Sequence, residues 1–436
     1  MHPPRRRRRD LCFAILGATT GVLFVSTLAL AIPSKYSPYK KLSVFTRALS
    51  YIENNYVEDV EQERLVYGAI KGMAESLDPH TTFLSPDAYR QMKDETTGEF
   101  PGIGIEVDRR GKDQPLTVVA PIEGTPAARA GIKSGDQLIE IDGRPSGPMS
   151  IEEAIKRMRG NRGTRVKLLV GRQGWAEPRE ISLVRDIVRV VSVSARMLEP
   201  GIGYLKITQF SDRTDRDAEQ RLAELEQQAG GKLRGLVVDL RGNPGGLFDQ
   251  AVRVADMFLT EGLIVRTIGK SGRVIDEETA RARGTHAGFP MVTLVNGSSA
   301  SASEIVAGAL QDHKRSLILG TPSFGKGSVQ SVIELEDGSG LKLTVARYYT
   351  PSGRSIQESG IQPDVLVEQL KTAEIARIVD DSGEPKTRER DMDRHLRNEQ
   401  GARGSAQGSV AGGDFQLKSA IDHLRAADRL GLQRGG

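Results

Sequence analysis

Three short segments of the chain carry residue types that could perform chemistry. Residues 299–304 read Ser-Ala-Ser-Ala-Ser-Glu, residues 324–330 read Phe-Gly-Lys-Gly-Ser-Val-Gln, and residues 241–246 form a glycine-rich stretch. Each of them follows an apolar run that is typical of a buried strand. Open α/β sheets hold their active sites where the carboxyl ends of the strands meet loops, so we expect these segments to lie together.

Ser301 has two interpretations. With Glu304 three residues later it fits a capping box, in which the hydroxyl only serves the N-terminus of a helix. It also fits a nucleophile, which needs a base nearby. The chain has six histidines, none in a recognisable catalytic motif, and no G-x-S-x-G elbow surrounds Ser301.

Lys326 is the better candidate for that base. A lysine accepts a proton only when it is neutral, so its pKa must fall from about 10.4 toward neutrality. Burial can lower it that far, and Gly325 and Gly327 would let the backbone close over the side chain. Gln330 carries no charge, so it could orient the amine without restoring its charged form.

Two other motifs overlap the lysine segment. Residues 320–326 nearly spell a phosphate-binding loop, but Gly327 stands where Ser or Thr should hold magnesium, and strand-like alternation follows instead of a helix. Ser323-x-x-Lys326 matches the penicillin-binding S-x-x-K motif, yet the sequence lacks its S-D-N and K-T-G elements. Both interpretations are therefore disfavoured.

Composition limits the classes of function. The chain of 436 residues is 38% hydrophobic and 27% charged, which allows a buried core over most of its length. Its net charge of +4 comes from the N-terminus: without arginines 5–9 and Asp10, the totals of 61 basic and 57 acidic residues become 56 and 56. This balance does not indicate nucleic-acid binding. The single cysteine, Cys12, excludes a disulfide framework and a cysteine-based zinc site.

The N-terminus has the pattern of a signal peptide or signal anchor. Five arginines precede an apolar run over residues 11–32. The positive flank should stay cytoplasmic, which places the rest of the chain across the membrane. Ala29-Leu30-Ala31 fits a cleavage site, but the run is long enough to span a bilayer. Cleavage of residues 1–32 and membrane contact through residues 11–32 both stay open.

The next region, residues 33–97, is expected to be helical after a linker over residues 33–40. Apolar residues follow helical spacing from Leu42 to Ile52 and from Val66 to Leu77. Ser85 before a proline predicts an N-cap. We interpret the region as a dimerisation or scaffolding element, or as part of a single core.

Two further regions follow the β-rich stretch at residues 98–185. Residues 186–370 alternate predicted strands and helices, which predicts an α/β core. The predicted elements are strands at 237–239, 291–295 and 316–319, a helix over 303–310, and a hairpin over 329–335 and 341–345. Residues 371–436 predict a charged, disordered linker and one short C-terminal helix from Leu417 to Leu424.

Residues 98–185 combine short strands, glycine turns and one amphipathic helix from Ile151 to Met158. Gly102-Ile103-Gly104-Ile105 opens the expected first strand, and a second glycine motif follows at residues 130–143. In this order the motifs resemble a PDZ domain. In PDZ domains such a turn offers free N–H groups to a peptide's terminal carboxylate, and the peptide adds as a strand. A plain glycine turn in a β-rich domain is the alternative.

The whole order of segments, from about residue 41 to 370, resembles the carboxyl-terminal processing proteases, also called tail-specific proteases. The resemblance implies an α/β multi-domain fold with an N-terminal helical region, an inserted PDZ domain and an α/β catalytic core. It implies Ser301 as nucleophile, Lys326 as general base and Gln330 as the residue that orients it. It also implies an oxyanion hole built from the backbone N–H of Gly245 or Gly246 and of Ala302, and no metal or other cofactor.

These features predict an exported serine endopeptidase in the periplasm or at the periplasmic face of the inner membrane. It would capture apolar C-terminal tails of envelope proteins with its PDZ domain and cleave them with a Ser-Lys dyad. The alternative is a non-catalytic PDZ scaffold or chaperone. We expect a homo-oligomer formed through the helical N-terminal region, and the sequence leaves open whether an adaptor protein delivers substrates.

Arg159, at the end of the amphipathic helix, is the candidate regulatory residue. Because the PDZ domain is inserted, it has two tethers, and its orientation can be coupled to the active site. We expect one state that blocks the site and one opened by a bound tail, in which Arg159 makes a stabilising contact. The alternative is a solvated arginine that complements the helix dipole.

Overall fold

The computed structural model describes residues 38–109, 111, 114–369 and 414–431. The predicted export signal and most of the predicted disordered linker lie outside the described residues. Within the described residues, no helix combines the length and the apolarity needed to cross a bilayer. The chain divides into two compact units at residue 73, which are described separately.

The first unit contains helix α1 (Pro38–Asn55) and most of helix α2 (Gln62–Glu75). Helix α1 covers the first stretch of predicted helical spacing, and α2 covers the second as far as Glu75, two residues before Leu77. The expected linker over residues 33–40 is wrong from Pro38 onward, because the helix already begins there. Proline is favoured in the first helical turn, where its missing N–H would have no partner in any case.

The second unit begins with strand β1 (Thr82–Leu84) and helix α3 (Pro86–Thr97). The predicted N-cap is confirmed, because the Ser85 hydroxyl accepts the N–H of Ala88 at 3.4 Å. Gly98 ends the helix with a φ of +69°, a conformation that glycine adopts without strain.

The inserted β-rich domain, residues 103–185, lies between two paired strands, β2 and β9. Its core is formed by buried apolar side chains of its strands and of the helix Ile151–Met158, among them Leu116, Leu138 and Ala154. The elements of this part are β2 (Glu99–Gly102), β3 (Ile105–Asp108), β4 (Leu116–Pro121), α4 (Pro126–Arg129), β5 (Gln137–Ile141), β6 (Arg144–Pro145), α5 (Ile151–Met158), β7 (Arg165–Gly171), β8 (Arg179–Val184) and β9 (Asp186–Arg189).

The expectation that Gly102 to Ile105 open one strand is wrong. Gly102 ends β2, which pairs with β9, and Ile105 begins β3, which pairs with β4. Gly104 between them has a φ of +77°, which breaks the extended conformation. The short helix α4 was also not expected from the sequence.

The α/β core is built on a sheet of six strands in the order β10-β11-β12-β15-β16-β19. All neighbours are parallel except β10 and β11. The elements are β10 (Val193–Glu199), β11 (Ile202–Ile207), α6 (Thr214–Gln228), β12 (Gly235–Asp239), α7 (Phe248–Asp256), β13 (Leu263–Gly269), β14 (Val274–Thr279), β15 (Met291–Val295), α8 (Ala302–Asp312), β16 (Leu317–Gly320), β17 (Ser328–Glu334), β18 (Gly340–Tyr349), β19 (Val365–Leu366) and α9 (Phe415–Arg429).

A second sheet contributes the lysine segment. Strand β18 pairs with β1, β13 and β17, so the hairpin β17–β18 predicted from the sequence is confirmed, with β18 extended to Tyr349. The predicted α/β fold class is confirmed. Apart from the C-terminal end of β18, the predicted strands and helix of this core lie within one or two residues of their expected ends. Helix α8 is buried from Ala302 to Leu310, so it packs inside the core along most of its length.

Candidate active site

Ser301 lies at the N-terminus of α8, directly after the loop that leaves strand β15. Its φ of +56° places a non-glycine residue in a rarely populated conformation, which typically costs about 1–3 kcal/mol. The main-chain N–H of Ser301 donates to the Glu304 carboxylate at 2.7 Å, which helps to hold this turn. The predicted capping box between the two residues is therefore present.

Glu304 does more than cap the helix. Its carboxylate is fully buried and accepts four hydrogen bonds, two on each oxygen. One oxygen accepts the N–H groups of Ser301 (2.7 Å) and Lys326 (2.9 Å). The other accepts the Ser323 hydroxyl (2.6 Å) and the N–H of Gly325 (2.7 Å). One buried charge thus joins the serine turn to the lysine segment, a role that the sequence did not suggest.

Lys326 lies in a half-buried position beside this carboxylate. Burial lowers the pKa of its amine and the nearby positive charge of Lys342 lowers it further, while Glu304 opposes the change. The flanking glycines permit the close approach that was expected: a Cβ at Gly327 would lie 2.7 Å from the main-chain nitrogen of Gln357. The segment therefore favours a neutral amine more than an exposed lysine does.

Tyr348 is a further residue that sequence reasoning missed. Its hydroxyl donates to the main-chain carbonyl of Lys326 and interacts with the Ser301 side chain. Burial strongly raises the pKa of this tyrosine, so the phenol stays neutral. The only sequence signal for it is the alternation of strand β18, which does not indicate which residue faces the serine.

Gln330 lies on β17, four residues after the lysine, as the sequence placed it. Its amide donates to the Ser328 hydroxyl at 2.8 Å. Within the described residues, no hydrogen bond joins Gln330 to Lys326, and none joins the Ser301 hydroxyl to the Lys326 amine. The structure thus joins the main chains of Ser301 and Lys326 through Glu304, but within the described residues no hydrogen bond aligns the three side chains for proton transfer.

The glycine-rich segment 241–246 approaches the serine turn closely. A Cβ at Gly245 would lie 2.9 Å from the Ser301 Cβ and 3.1 Å from the Ala302 nitrogen, so only glycine fits there. The N–H of Gly245 donates to the Asn243 side chain at 2.9 Å. Among the described residues, the N–H groups of Gly246 and Ala302 have no acceptor. Of the two expected glycines, Gly246 is therefore the one with a free donor.

The two competing motifs do not match their expected structural contexts. Residues 320–326 lead into strand β17, whereas a phosphate-binding loop leads into a helix. Ser323 lies in a loop, where its buried hydroxyl donates to Glu304 and accepts the N–H of Ile361. It is not placed at a helix start as the S-x-x-K motif requires. No group of three or more metal-ligating side chains occurs among the described residues.

The glycine turn of the inserted domain, residues 102–105, leaves two main-chain N–H groups without an acceptor among the described residues. The N–H groups of Ile103 and Gly104 have no acceptor in the described part of the chain, whereas their carbonyls accept the N–H groups of Ala127 and Ile122 at 2.9 Å. A Cβ at Gly104 would lie 2.4 Å from Thr125. The turn thus has two main-chain donors without a partner in the described residues. Only glycine fits at position 104, whereas the side chain of Ile103 is buried in the core of the domain.

Arg159 is not a fully solvated arginine. Its guanidinium lies 4.5 Å from the centre of the Phe100 ring, on strand β2, and its Nε is buried without a hydrogen-bond partner. It therefore contacts the strand that enters the inserted domain.

Comparison with known proteins agrees with this architecture. Residues 201–367 match the model of peptidase family S41, residues 117–172 match a PDZ domain, and residues 27–88 match the N-terminal domain of the activating protease CtpB. The carboxy-terminal-processing protease of Bartonella bacilliformis is 42% identical over 363 residues, covering 83% of each chain. This chain belongs to the carboxy-terminal processing proteases of peptidase family S41. It is a serine-type peptidase.

Other relatives of the family are also similar. The carboxy-terminal processing protease CtpA of Bacillus subtilis is 37% identical, covering 75% of this chain and 69% of its own. Among solved structures, a photosystem II D1 C-terminal processing protease is 33% identical with a TM-score of 0.45, covering 74% of this chain and 92% of its own.

Proposed function

We propose that this peptidase cleaves envelope proteins near their C-termini with Ser301 as nucleophile and Lys326 as general base. The observation that carries the proposal is the position of Glu304, whose carboxylate accepts the main-chain N–H of both residues. The lowered pKa of Lys326 supports its role, because a base must be neutral to accept a proton.

The reaction divides into acylation and deacylation. The neutral Lys326 amine takes the hydroxyl proton as the Ser301 oxygen attacks the scissile carbonyl carbon. The N–H groups of Gly246 and Ala302, together with the positive end of α8, stabilise the negative charge on the carbonyl oxygen. When the C–N bond breaks, Lys326 returns the proton to the leaving amine. Water then attacks the acyl group and gives a proton to Lys326. Lys326 passes this proton to the Ser301 oxygen as the acyl bond breaks, which restores the hydroxyl and the neutral amine.

This sequence of steps requires a local rearrangement. The Lys326 amine must turn toward the Ser301 hydroxyl, and the Gln330 amide must leave Ser328 to orient that amine. A substrate favours such a change only to the extent that it binds the aligned state more tightly. We therefore assign the described conformation to a state that is not yet aligned for catalysis.

The dyad is tested by single substitutions. Ser301→Ala and Lys326→Ala should each reduce cleavage of a C-terminal peptide by more than a thousandfold without unfolding the protein, and the two losses should not add. Gln330→Ala should be milder, because it transfers no proton. Ser298→Ala, an exposed serine in the same loop, is the matched control and should remain active. Retention of a few per cent of activity by either dyad variant would exclude the assignment. A wild type that binds peptide tails without Ser301-dependent cleavage would favour the scaffold alternative.

We further propose that the PDZ domain captures apolar C-terminal tails at the turn around Gly104. The two free N–H donors of Ile103 and Gly104 support carboxylate binding there. The contact between Arg159 and Phe100 connects helix α5 to the strand that tethers the domain, and supports a role in gating.

Gating is tested with a reporter peptide too short to reach both sites. An apolar C-terminal peptide added separately should accelerate its cleavage, and Arg159→Ala should weaken that response. If the added peptide only slows cleavage of the reporter, the PDZ domain holds substrates without gating the active site.

The location and assembly of the protein are proposed on separate grounds. The arginines and the apolar run at residues 5–32 support export to the periplasm, either free or held at the inner membrane. Exposed apolar side chains of α1, including Leu42, Phe45 and Ile52, support assembly through the helical N-terminal region. Fractionation of the envelope and the mass of the purified protein in solution test the two proposals.

A further inference from the structure

The C-terminal helix α9 packs on the face of the six-stranded sheet, although it lies beyond the stretch that matches the peptidase family. Its residues Leu417, Ala420, Ile421 and Leu424 are buried against side chains of strands β11, β12, β15 and β16. The Gln416 amide donates to the main-chain carbonyl of Val367 at 2.7 Å. The helix is therefore a docked part of the core, reached through residues 370–413.

The N-terminal end of α9 meets the start of the glycine-rich segment. Asp414 caps the helix by accepting the N–H of Leu417 at 3.0 Å. Its two oxygens also accept hydrogen bonds from the two terminal nitrogens of Arg241, at 2.9 and 2.7 Å. The side-chain oxygen of Gln416 accepts a further hydrogen bond from Arg241 at 3.0 Å. Burial alone would raise the pKa of Asp414, but the hydrogen bonds from Arg241 and Leu417 lower it, so the carboxylate stays charged.

Arg241 connects this contact to the serine. On its other side the guanidinium donates to Asp239 at the end of β12, at 2.7 and 2.9 Å. The next residue, Gly242, donates its N–H to Asn296 in the loop before the nucleophile at 3.0 Å. Four residues further, Gly246 offers the N–H that we assign to the oxyanion hole. The segment is thus fixed at its start by two carboxylates, one of which belongs to α9.

We propose that α9 is a positioning element of the active site, which acts through the pair Asp414–Arg241 to hold the segment 241–246 against Ser301. The proposal rests on the proposed function in assigning Gly246 to the oxyanion hole. Without Asp414, Asp239 is the only carboxylate that orients the guanidinium, and the segment gains freedom beside the nucleophile. A donor that is displaced from its oxyanion stabilises the transition state less, while substrate binding elsewhere is unaffected.

The test compares Asp414→Asn with Asp428→Asn in the full chain. Asp428 lies near the other end of α9 and pairs with Arg234, which precedes β12, whereas the glycine-rich segment follows that strand. Its substitution is therefore a matched loss of one ion pair. We expect Asp414→Asn to lower kcat by about tenfold with an unchanged KM, and Asp428→Asn to behave as wild type. Amide hydrogen exchange over residues 241–246, measured in a Ser301→Ala background, should become faster in Asp414→Asn alone.

A second variant separates this role from undocking of the helix. Arg241→Lys leaves Asp414 free to cap α9 but removes the paired contact, because lysine cannot make two parallel hydrogen bonds. It should show the same loss of kcat while the amides of α9 stay protected from exchange. The proposal is overturned if Arg241→Lys, with α9 protected, keeps wild-type kcat and wild-type exchange over residues 241–246. If the proposed function is wrong, the wild type will show no Ser301-dependent cleavage. The exchange measurement would still show whether Asp414 and Arg241 hold the segment 241–246.

Discussion

Replacing Glu304 by glutamine tests the structural basis of the active site most directly. The substitution keeps the shape of the side chain but removes the charge and turns one acceptor into a donor. In wild type, both oxygens accept two hydrogen bonds each. The new amide group therefore has to face a pair of donors, whichever way the side chain is turned.

The less costly orientation points the new NH2 group at Ser323 and Gly325. The Ser323 hydroxyl can rotate and accept a hydrogen bond, but the N–H of Gly325 loses its acceptor. A buried donor without a partner costs about 1–3 kcal/mol, and the remaining bonds lose their charge assistance. We expect a loss of about 3 kcal/mol in the free energy of unfolding, which lowers Tm by about 6–12 °C.

The kinetic consequence follows from the same geometry. Gly325 precedes the proposed general base, so a looser segment would misplace the Lys326 amine, and kcat should fall by about ten- to a hundredfold. Because the charge of Glu304 raises the pKa of Lys326, its removal should also move the acidic limb of the pH profile of kcat/KM to lower pH.

The assays are thermal unfolding and steady-state kinetics over a range of pH. Glu224→Gln is the control, since Glu224 is a partly exposed glutamate on α6 that also accepts two side-chain hydrogen bonds. It should change the free energy of unfolding by less than about 0.5 kcal/mol. Wild-type stability, kcat and pH profile in Glu304→Gln would refute the view that this carboxylate holds the two segments together.

Three further predictions concern other sites. Lys326→Met should be more stable than wild type at low pH, because the folded protein disfavours the charged amine. This difference in the free energy of unfolding should narrow as pH rises from the lowered pKa of folded Lys326 toward the pKa of the lysine in the unfolded chain. Thermal unfolding at several pH values measures the difference. For His286 the pKa shift has the opposite sign, because two glutamates raise the pKa more than burial lowers it. His286→Asn should therefore lose more stability at pH 6 than at pH 9 in the same assay. Gly104→Ala should weaken binding of a C-terminal peptide by at least tenfold in fluorescence anisotropy, because the new Cβ would lie 2.4 Å from Thr125; Gly124→Ala, with a similar φ and open space around it, should bind as wild type.

Local features of the fold could be predicted from the sequence with little loss. The N-cap at Ser85, the helix α1 and the hairpin β17–β18 each follow from spacing within a few residues, because capping and amphipathic burial depend on near neighbours. Errors arose where two elements meet. Residues 102–105 look like one strand, but pairing with β9 on one side and β4 on the other divides them.

The residue types of the candidate site can be predicted from the sequence. A serine at a helix start, a lysine between glycines and a glycine-rich turn are all local patterns, and the family resemblance is carried by their order. How these patterns are connected can be seen only in the folded chain. Glu304 accepts a hydrogen bond from Lys326, 22 positions away, and Asp414 accepts one from Arg241, 173 positions away. Such contacts depend on which strands are neighbours and on where each side chain points.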